Sequence, residues 1–459
     1  MRNKRQKNQD ALASGERVRG EAPNEPAGGT ECRVARAAAE SPVVGGQVME
    51  QVVARDNLKK ALAQVRRNQG APGVDGMTVE ELGPYLQEHW PDIRARLLSD
   101  SYRPSPVRRV EIPKASGGTR ALGIPTVLDR FIQQAVLQVL QAEWEPTFSA
   151  ASFGFRPGRS AHQAVRAAQD HIAAGHRVVV DIDLEKFFDR VNHDVLMGLV
   201  AKRVTDRRIL RLIRGFLTAG VLADGLVGPT DEGTPQGGPL SPLLSNLMLD
   251  VLDKELERRG HHFVRYADDC NIYVRSHRSG ERVMASVEQF LHRRLKLKIN
   301  RAKSAVARPS ERKFLGFSFT SETEPRRRIA PQALVKLKSR VRALTRRTGG
   351  RSLKRTIAEL ARYLLGWRGY FRFCQTPSVL RALDQWIRRR LRCLAWVHWK
   401  NGSNRYKQLR RRGLGRTLAA NTAGSNKGPW RLSRTSALTF AFPTAAFTAD
   451  GLPLLAPPP

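Results

Sequence analysis

The stretch FVRYADDCNIYV (263–274) sets two adjacent aspartates, Asp268 and Asp269, inside an otherwise apolar, strand-prone run. Neighbouring carboxylates repel each other and resist burial, so a hairpin gains no stability from them. They ask for a cation, or a pair of cations. Tyr266 to Asp269 lies between two strand-like segments, which predicts the tip of a β-hairpin. One more acid is needed to hold metal well, and VVVDIDLEKFF (178–188) offers it. Asp183 ends an apolar strand 85 residues before Asp268, and Asp181 lies two positions earlier on the same strand face. Strand-end carboxylates beside a hairpin-tip pair make an oxygen-ligand site suited to Mg²⁺. Two such ions, roughly 3.5–4 Å apart, can activate a 3′-hydroxyl and stabilise a leaving pyrophosphate. That is nucleotidyl transfer.

The composition agrees. Of 459 residues 41% are hydrophobic, enough for a sizeable core, while 79 Lys and Arg stand against 42 Asp and Glu, a net charge of +37. Such an excess implies a polyanionic partner, with nucleic acid the default over membrane. The cysteines Cys32, Cys270, Cys374 and Cys393 form no CxxC pair, which argues against a disulfide framework or a cysteine zinc site and fits a reducing cytoplasm. MRNKRQKNQD (1–10) carries charge with no apolar stretch behind it, so it does not read as a secretory signal. No run of about 18 apolar residues predicts a membrane span.

Residues 1–48 are poor in large apolar side chains and read as a disordered basic segment. Apolar spacing predicts a helix over Val52–Val65 and another from Val79. VRRVEIPKASGGTRALGIP (107–125) reads as strand, basic Gly-Gly turn and strand, a hairpin whose tip carries Lys114 and Arg120. Helices are expected over Val127–Trp144, from about Leu243, and around Ser286–Leu297, with a short strand at KFLGFSF (313–319). Alternating strands and helices argue for an α/β core rather than a bundle. Beyond Arg326 the balance shifts: residues 326–416 hold 27 Lys or Arg and only two acids, Glu359 and Asp384. Leu334, Leu337, Val341 and Leu344 repeat at helical spacing, with Lys336, Lys338, Arg340 and Arg342 between them and Arg346 just beyond. One face of such a helix packs and the other meets phosphates. Interleaved aromatics from Trp367 to Trp399 pack in a core or stack on bases, the core being the commoner use.

Seven blocks, in order, resemble the reverse transcriptase/maturase of bacterial group II introns: IPKASGGTRALGIP, FGFRPGRSAHQA, DIDLEKFFDRVNHD, GTPQGGPLSPLLSN, FVRYADDCNIYV, LKINRAKS and KFLGFSF. The likeness covers roughly residues 50–400. LLGWRGYFRF and LRCLAWVHWK extend it into the thumb and maturase region, and GPWRLS and FPTAAFTADGLP into a short C-terminal extension. It implies an α+β right-hand polymerase fold: fingers over 50–175, palm over 176–320 with a small antiparallel sheet, a helical thumb/maturase domain over 326–400 and an extension over 401–459. Many relatives end in an HNH endonuclease with paired cysteines, which this sequence does not show.

The resemblance makes Asp183, Asp268 and Asp269 the catalytic, metal-holding aspartates, with two Mg²⁺ ions expected. The family does not hold the Asp181 position to a carboxylate. Phe188 matches the steric gate that collides with a ribose 2′-hydroxyl, whereas Phe187 reads as core. Lys114 and Arg120 match the pair gripping the incoming triphosphate. Gln236 matches a residue lining the nucleotide pocket, with Gly237 and Gly238 letting backbone approach the substrate. Lys303 matches a lysine near the leaving pyrophosphate. Lys336, Lys338, Arg340, Arg342 and Arg346 are the expected nucleic-acid contacts. Implied partners are intron RNA as template, a DNA primer or target, and dNTPs, with no membrane. A splicing cofactor with a decayed polymerase, a reverse transcriptase serving antiviral defence and an RNA-templated RNA polymerase are the competing readings; the intact aspartates, the maturase-like segment and Phe188 speak against each in turn.

Overall fold

The computed structural model describes residues 47–113, 119–223, 226–228, 232–234, 237–347 and 350–457, except the side chains of Arg120, Ala223, Leu226 and Val227. Lys114, Gln236, the side chain of Arg120 and residues 1–46 therefore lie outside the described residues. Val48, assigned by sequence to the N-terminal segment, opens a helix Val48–Val52 and is fully buried.

The helix expected over Val52–Val65 lies at Arg55–Asn68. The chain breaks after Val52 because the Asn57 amide donates to the Val52 carbonyl at 2.8 Å and to the Ala135 carbonyl at 3.0 Å. The next helix begins at Leu82 rather than Val79, since Thr78 donates through its backbone and hydroxyl to Glu81, at 2.7 and 2.9 Å, and holds a turn there. Strands Val107–Pro113 and Thr119–Ile124 pair antiparallel, as the sequence predicts. Helix Val127–Trp144 buries Phe131, Ile132, Val136, Leu140 and Trp144 and so runs through the core. At its N-terminus Thr126 accepts from the Asp129 backbone, while the buried Asp129 carboxylate accepts from Tyr102, Ser105 and Thr126. Three donors offset the burial of that carboxylate, a burial that still pushes its pKa upward.

The central sheet is antiparallel throughout, in the order His262–Tyr266, Asp269–Val274, Val178–Ile182, Ala305–Ala307. The alternation of strands and helices in sequence suggested α/β, but no neighbouring pair in this sheet is parallel, so the fold is α+β. Helices Ser241–Arg258 and His277–Phe290 pack on it. The second begins earlier than expected because Ser276 caps it, accepting from the Ser279 amide at 3.2 Å, and it ends in a π-helical turn, Leu291–Leu295. The strand expected across KFLGFSF shortens to Phe317–Phe319, since Leu315 and Gly316 both take positive φ, 50° and 80°, and bend the chain.

Helices Pro331–Leu344, Leu353–Phe371 and Pro377–His398 share a second core that includes Leu337, Val341, Ile357, Leu360 and Leu391. Residues beyond 401 enter the same core through Leu409, Leu438, Phe447 and Leu455. Asp384, one of the two acids of the basic region, is buried and receives the backbone amides of Leu455 and Ala456 at 2.9 and 3.0 Å. A third cluster joins the sheet to this helical part: Phe317 meets Tyr370, Phe371 and Phe373, and His162 binds the Tyr370 carbonyl at 2.8 Å. Trp396 and Trp399 are buried, as the commoner use of such residues predicts. Among the described residues no helix is long and apolar enough to cross a membrane.

Candidate active site

Asp268 and Asp269 stand at the hairpin tip between the strands His262–Tyr266 and Asp269–Val274. The turn is tight enough to force Ala267 into the left-handed region, φ 57°. Arg265 fixes it from beneath. That arginine is 1% exposed, pairs with the buried Asp253 at 2.5 Å, and donates to the Ala267 carbonyl at 2.9 Å and to Asn246 at 3.1 Å. An arginine inside an apolar strand, three positions before the acidic pair, was the visible signal for it. Its partner, 12 residues upstream on a helix, was not.

Asp183 follows the end of the strand Val178–Ile182. Its amide donates to Ser304 Oγ at 2.9 Å, its carbonyl accepts from Asn300 at 2.8 Å, and Lys303 Nζ lies 3.6 Å from its carboxylate. The NRAKS turn thus clamps this aspartate, and Lys303 sits against it. Asp181, on the strand itself opposite Asn271, is held by Arg312 at 2.6 Å. Arg312 also donates to the Lys303 carbonyl at 2.5 Å, tying the strand to the same turn. The guanidinium thereby ties Asp181 to the turn that also holds Asp183.

Protein surrounding Asp269, together with the carboxylates of Asp268, Asp181 and Asp183, pushes its carboxyl up to about 7. Burial and the neighbouring carboxylates thus both oppose ionisation of Asp269, a cost that a bound cation would relieve. Among the described residues no three His, Cys, Asp or Glu side chains gather closely enough to enclose an ion; Lys303 and Arg312 occupy two of the carboxylates instead. The donors are nevertheless all carboxylate oxygen, which fits Mg²⁺.

Phe187 is buried and Phe188 is half-buried beside it, in the short turn Phe187–Asp189. The Phe188 carbonyl accepts from the Thr234 amide at 2.7 Å, and a Cβ on Gly233 would lie 2.9 Å from that carbonyl. Gly237 and Gly238, expected to admit substrate, also stand close to protein: a Cβ at Gly237 would meet the Gly123 carbonyl at 2.6 Å, and one at Gly238 would meet the end of the Gln133 side chain at 2.3 Å. Arg120 falls opposite Ile112 in the fingertip hairpin.

On the helix Pro331–Leu344, Leu337 and Val341 are buried, Leu334 and Leu344 partly so, while Lys336, Arg340 and Arg342 are exposed. Arg342 and Arg346 join Arg347 and Arg390 around a cavity of about 400 Å³ with no acid in its wall. Arg342 and Arg390 both lie over Trp386, at 5.8 and 5.5 Å. Lys338 is half-buried on the same helix.

Two family models match the chain: "Reverse transcriptase (RNA-dependent DNA polymerase)" over residues 112–319, and "Group II intron, maturase-specific domain" over residues 334–413. The chain thus carries a reverse transcriptase domain. With the maturase-specific domain following, its domain order is similar to that of the group II intron reverse transcriptase/maturases. Protein YkfC of Escherichia coli (strain K12) is 42% identical over 192 residues, 41% of this chain and 50% of that protein. The group II intron-encoded protein LtrA of Lactococcus lactis subsp. cremoris is 30% identical over 310 residues, 53% of this chain and 50% of that one. The chain spans about half the length of these curated relatives. Among solved structures, a telomerase from Candida albicans in complex with a telomeric RNA fragment matches at 13% identity and TM-score 0.40, covering 64% of this chain and 59% of that one.

Proposed function

We propose that the protein is an RNA-directed DNA polymerase that also binds its intron RNA as a maturase, supporting splicing and retrohoming. The strand register that sets Asp183 beside the Asp268–Asp269 tip, one step beyond the Ile182–Cys270 pair, carries the polymerase reading. Asp183, Asp268 and Asp269 would hold two Mg²⁺ ions, which supply activation of the primer 3′-hydroxyl and charge neutralisation of the leaving pyrophosphate. Lys303 holds the Asp183 carboxylate in place and presents a cation where pyrophosphate departs. Lys114 and Arg120 grip the triphosphate from the fingertip, and Gln236 lines the nucleotide pocket. Phe188 closes the space a ribose 2′-hydroxyl needs, selecting dNTPs. The division into fingers over 50–175, palm over 176–320, thumb over 326–400 and an extension beyond follows the same reading, as does a cytoplasmic place of action on the nucleoid.

A DNA primer annealed to an RNA template is expected to be extended with dNTPs and Mg²⁺, to stop on chelation with EDTA, and to resume when Mg²⁺ is restored. No synthesis under any divalent ion, alongside tight salt-sensitive binding to structured intron RNA, would leave a splicing cofactor without polymerase activity.

Lys336, Lys338, Arg340, Arg342 and Arg346 contact RNA phosphates in this reading, and the arginine-walled cavity beside Trp386 is where their charge concentrates. Charge reversal at two of its arginines, Arg342→Glu with Arg390→Glu, is expected to weaken intron RNA binding at least tenfold and to flatten its dependence on salt by about two contacts. Binding titrations from 50 to 500 mM KCl (about the usual working range) measure both. An unchanged slope removes these arginines from the RNA interface.

A further inference from the structure

We infer that Phe155 is a positioning residue for nucleotide selection, holding the ring of Phe188 in the orientation that excludes ribonucleotides; the inference rests on Phe188 being the gate. Phe155 combines two features that ordinarily count against a phenylalanine. It is 47% exposed, and it takes φ 59°, in the left-handed region that a bulky side chain rarely adopts. Asn or Gly in its place would relieve both. Lys186 and Ala267 also take positive φ, 48° and 57°, and both belong to the turns that carry Phe188 and the aspartate pair. Three of the described non-glycine residues with positive φ thus lie around one site, where strained backbone can serve geometry.

The surrounding contacts show what maintains the strain. Phe153 donates its amide to the Arg265 carbonyl, and Arg265 returns its amide to the Ala151 carbonyl, both at 2.9 Å. Gly154 lies so close to the aspartate hairpin that a Cβ there would stand 2.2 Å from the Ala267 nitrogen, and its carbonyl accepts from Asn246 at 2.9 Å. Arg156 is buried against Glu145 at 2.8 Å and the Ser152 carbonyl at 2.9 Å. The residues on both sides are locked to the hairpin and the fingers, which leaves Phe155 no relaxed conformation. Its ring then meets Phe188 edge to face, centroids 6.5 Å apart at 73°. Phe187 supports Phe188 from the other side, at 5.2 Å and 71°. Phe188 sits in a single short turn and packs against the main core while only partly buried, so the two edge contacts add to what fixes its ring. A gate discriminates between substrates differing by one hydroxyl only if its ring cannot swing aside.

The test separates this role from folding, because Phe155→Gly removes the ring and the strain together. Phe155→Gly is expected to keep its thermal midpoint at or above that of the wild type. It should keep kcat/KM for dNTPs within a few-fold, yet raise rNTP incorporation so that dNTP-over-rNTP selectivity falls by roughly tenfold. Phe155→Tyr, which keeps the ring, should retain selectivity. Phe188→Ala is measured in parallel. If Phe188→Ala loses selectivity and Phe155→Gly does not, Phe155 has no part in selection and the gate stands alone. If Phe188→Ala leaves selectivity unchanged, the gate reading fails and this inference falls with it. A Phe155→Gly protein that loses stability and all nucleotide kinetics in equal measure also overturns it.

Discussion

Asp268→Asn with Asp269→Asn is expected to reduce primer extension on RNA by at least ~1000-fold while leaving intron RNA binding within about twofold. Asparagine preserves the shape of the turn and removes the charge. The backbone pairing of Tyr266 with Asp269 is untouched by the change, so the hairpin remains. The burial and carboxylate repulsion that push the Asp269 carboxyl up to about 7 no longer act on a charge there, and the folded protein should melt no lower than the wild type. Higher stability with lost synthesis is the signature of acids kept for chemistry. Synthesis surviving in the double variant would mean that these aspartates do not hold the catalytic ions. A parallel loss of RNA binding would mean that the hairpin contributes to the RNA surface as well.

The second large effect concerns the support beneath that turn. Asp253→Ala is expected to destabilise the protein by about 3–5 kcal/mol, because it leaves the buried Arg265 charge without a counter-ion. The lost stability would appear as an earlier urea midpoint at unchanged slope. The pair is also tested from the opposite direction. Replacing both members by apolar residues of similar volume, Asp253→Leu with Arg265→Met, should recover much of the stability, since two buried charges leave together. Primer extension should remain at least tenfold low in that variant, because the Ala267 carbonyl and Asn246 lose the donors that fix the aspartate turn. Full activity in the double replacement would show that the pair serves folding alone. A cost below about 1 kcal/mol for Asp253→Ala would show that water reaches Arg265.

The buried pair and the strained Phe155 share a cause. The catalytic tip carries carboxylates that repel, on a turn whose Ala267 would be better served by glycine. It persists because contacts from three distant segments over-determine it: the helix bearing Asn246 and Asp253, the FGFR loop, and the NRAKS turn that grips Asp183. Arg312, joining Asp181 to the Lys303 carbonyl, belongs to the same scaffold.

Much of this was legible in the chain itself. Two strand-prone apolar runs around an acidic pair announce a hairpin, and the hairpin, the helix Val127–Trp144 and the amphipathic helix after Ala330 stand where their spacing puts them. Charge surplus and its concentration beyond Arg326 follow from composition, and the aspartates declare themselves by being costly where they stand. Local pattern carries such information because neighbours in sequence are neighbours on a strand or helix face. Helix starts at Arg55, Leu82 and His277 did not follow from periodicity, since side-chain hydrogen bonds from Asn57, Thr78 and Ser276 settled them. The use of Gly237 and Gly238 to meet Gly123 and Gln133, the Asp253 partner of Arg265 and the arginine beside Asp181 belong to tertiary structure alone. Arg312 lies 131 residues from Asp181, and no spacing rule joins residues so far apart. The sequence marked which acids stand where they are costly; only packing between distant segments decided what holds each of them in position.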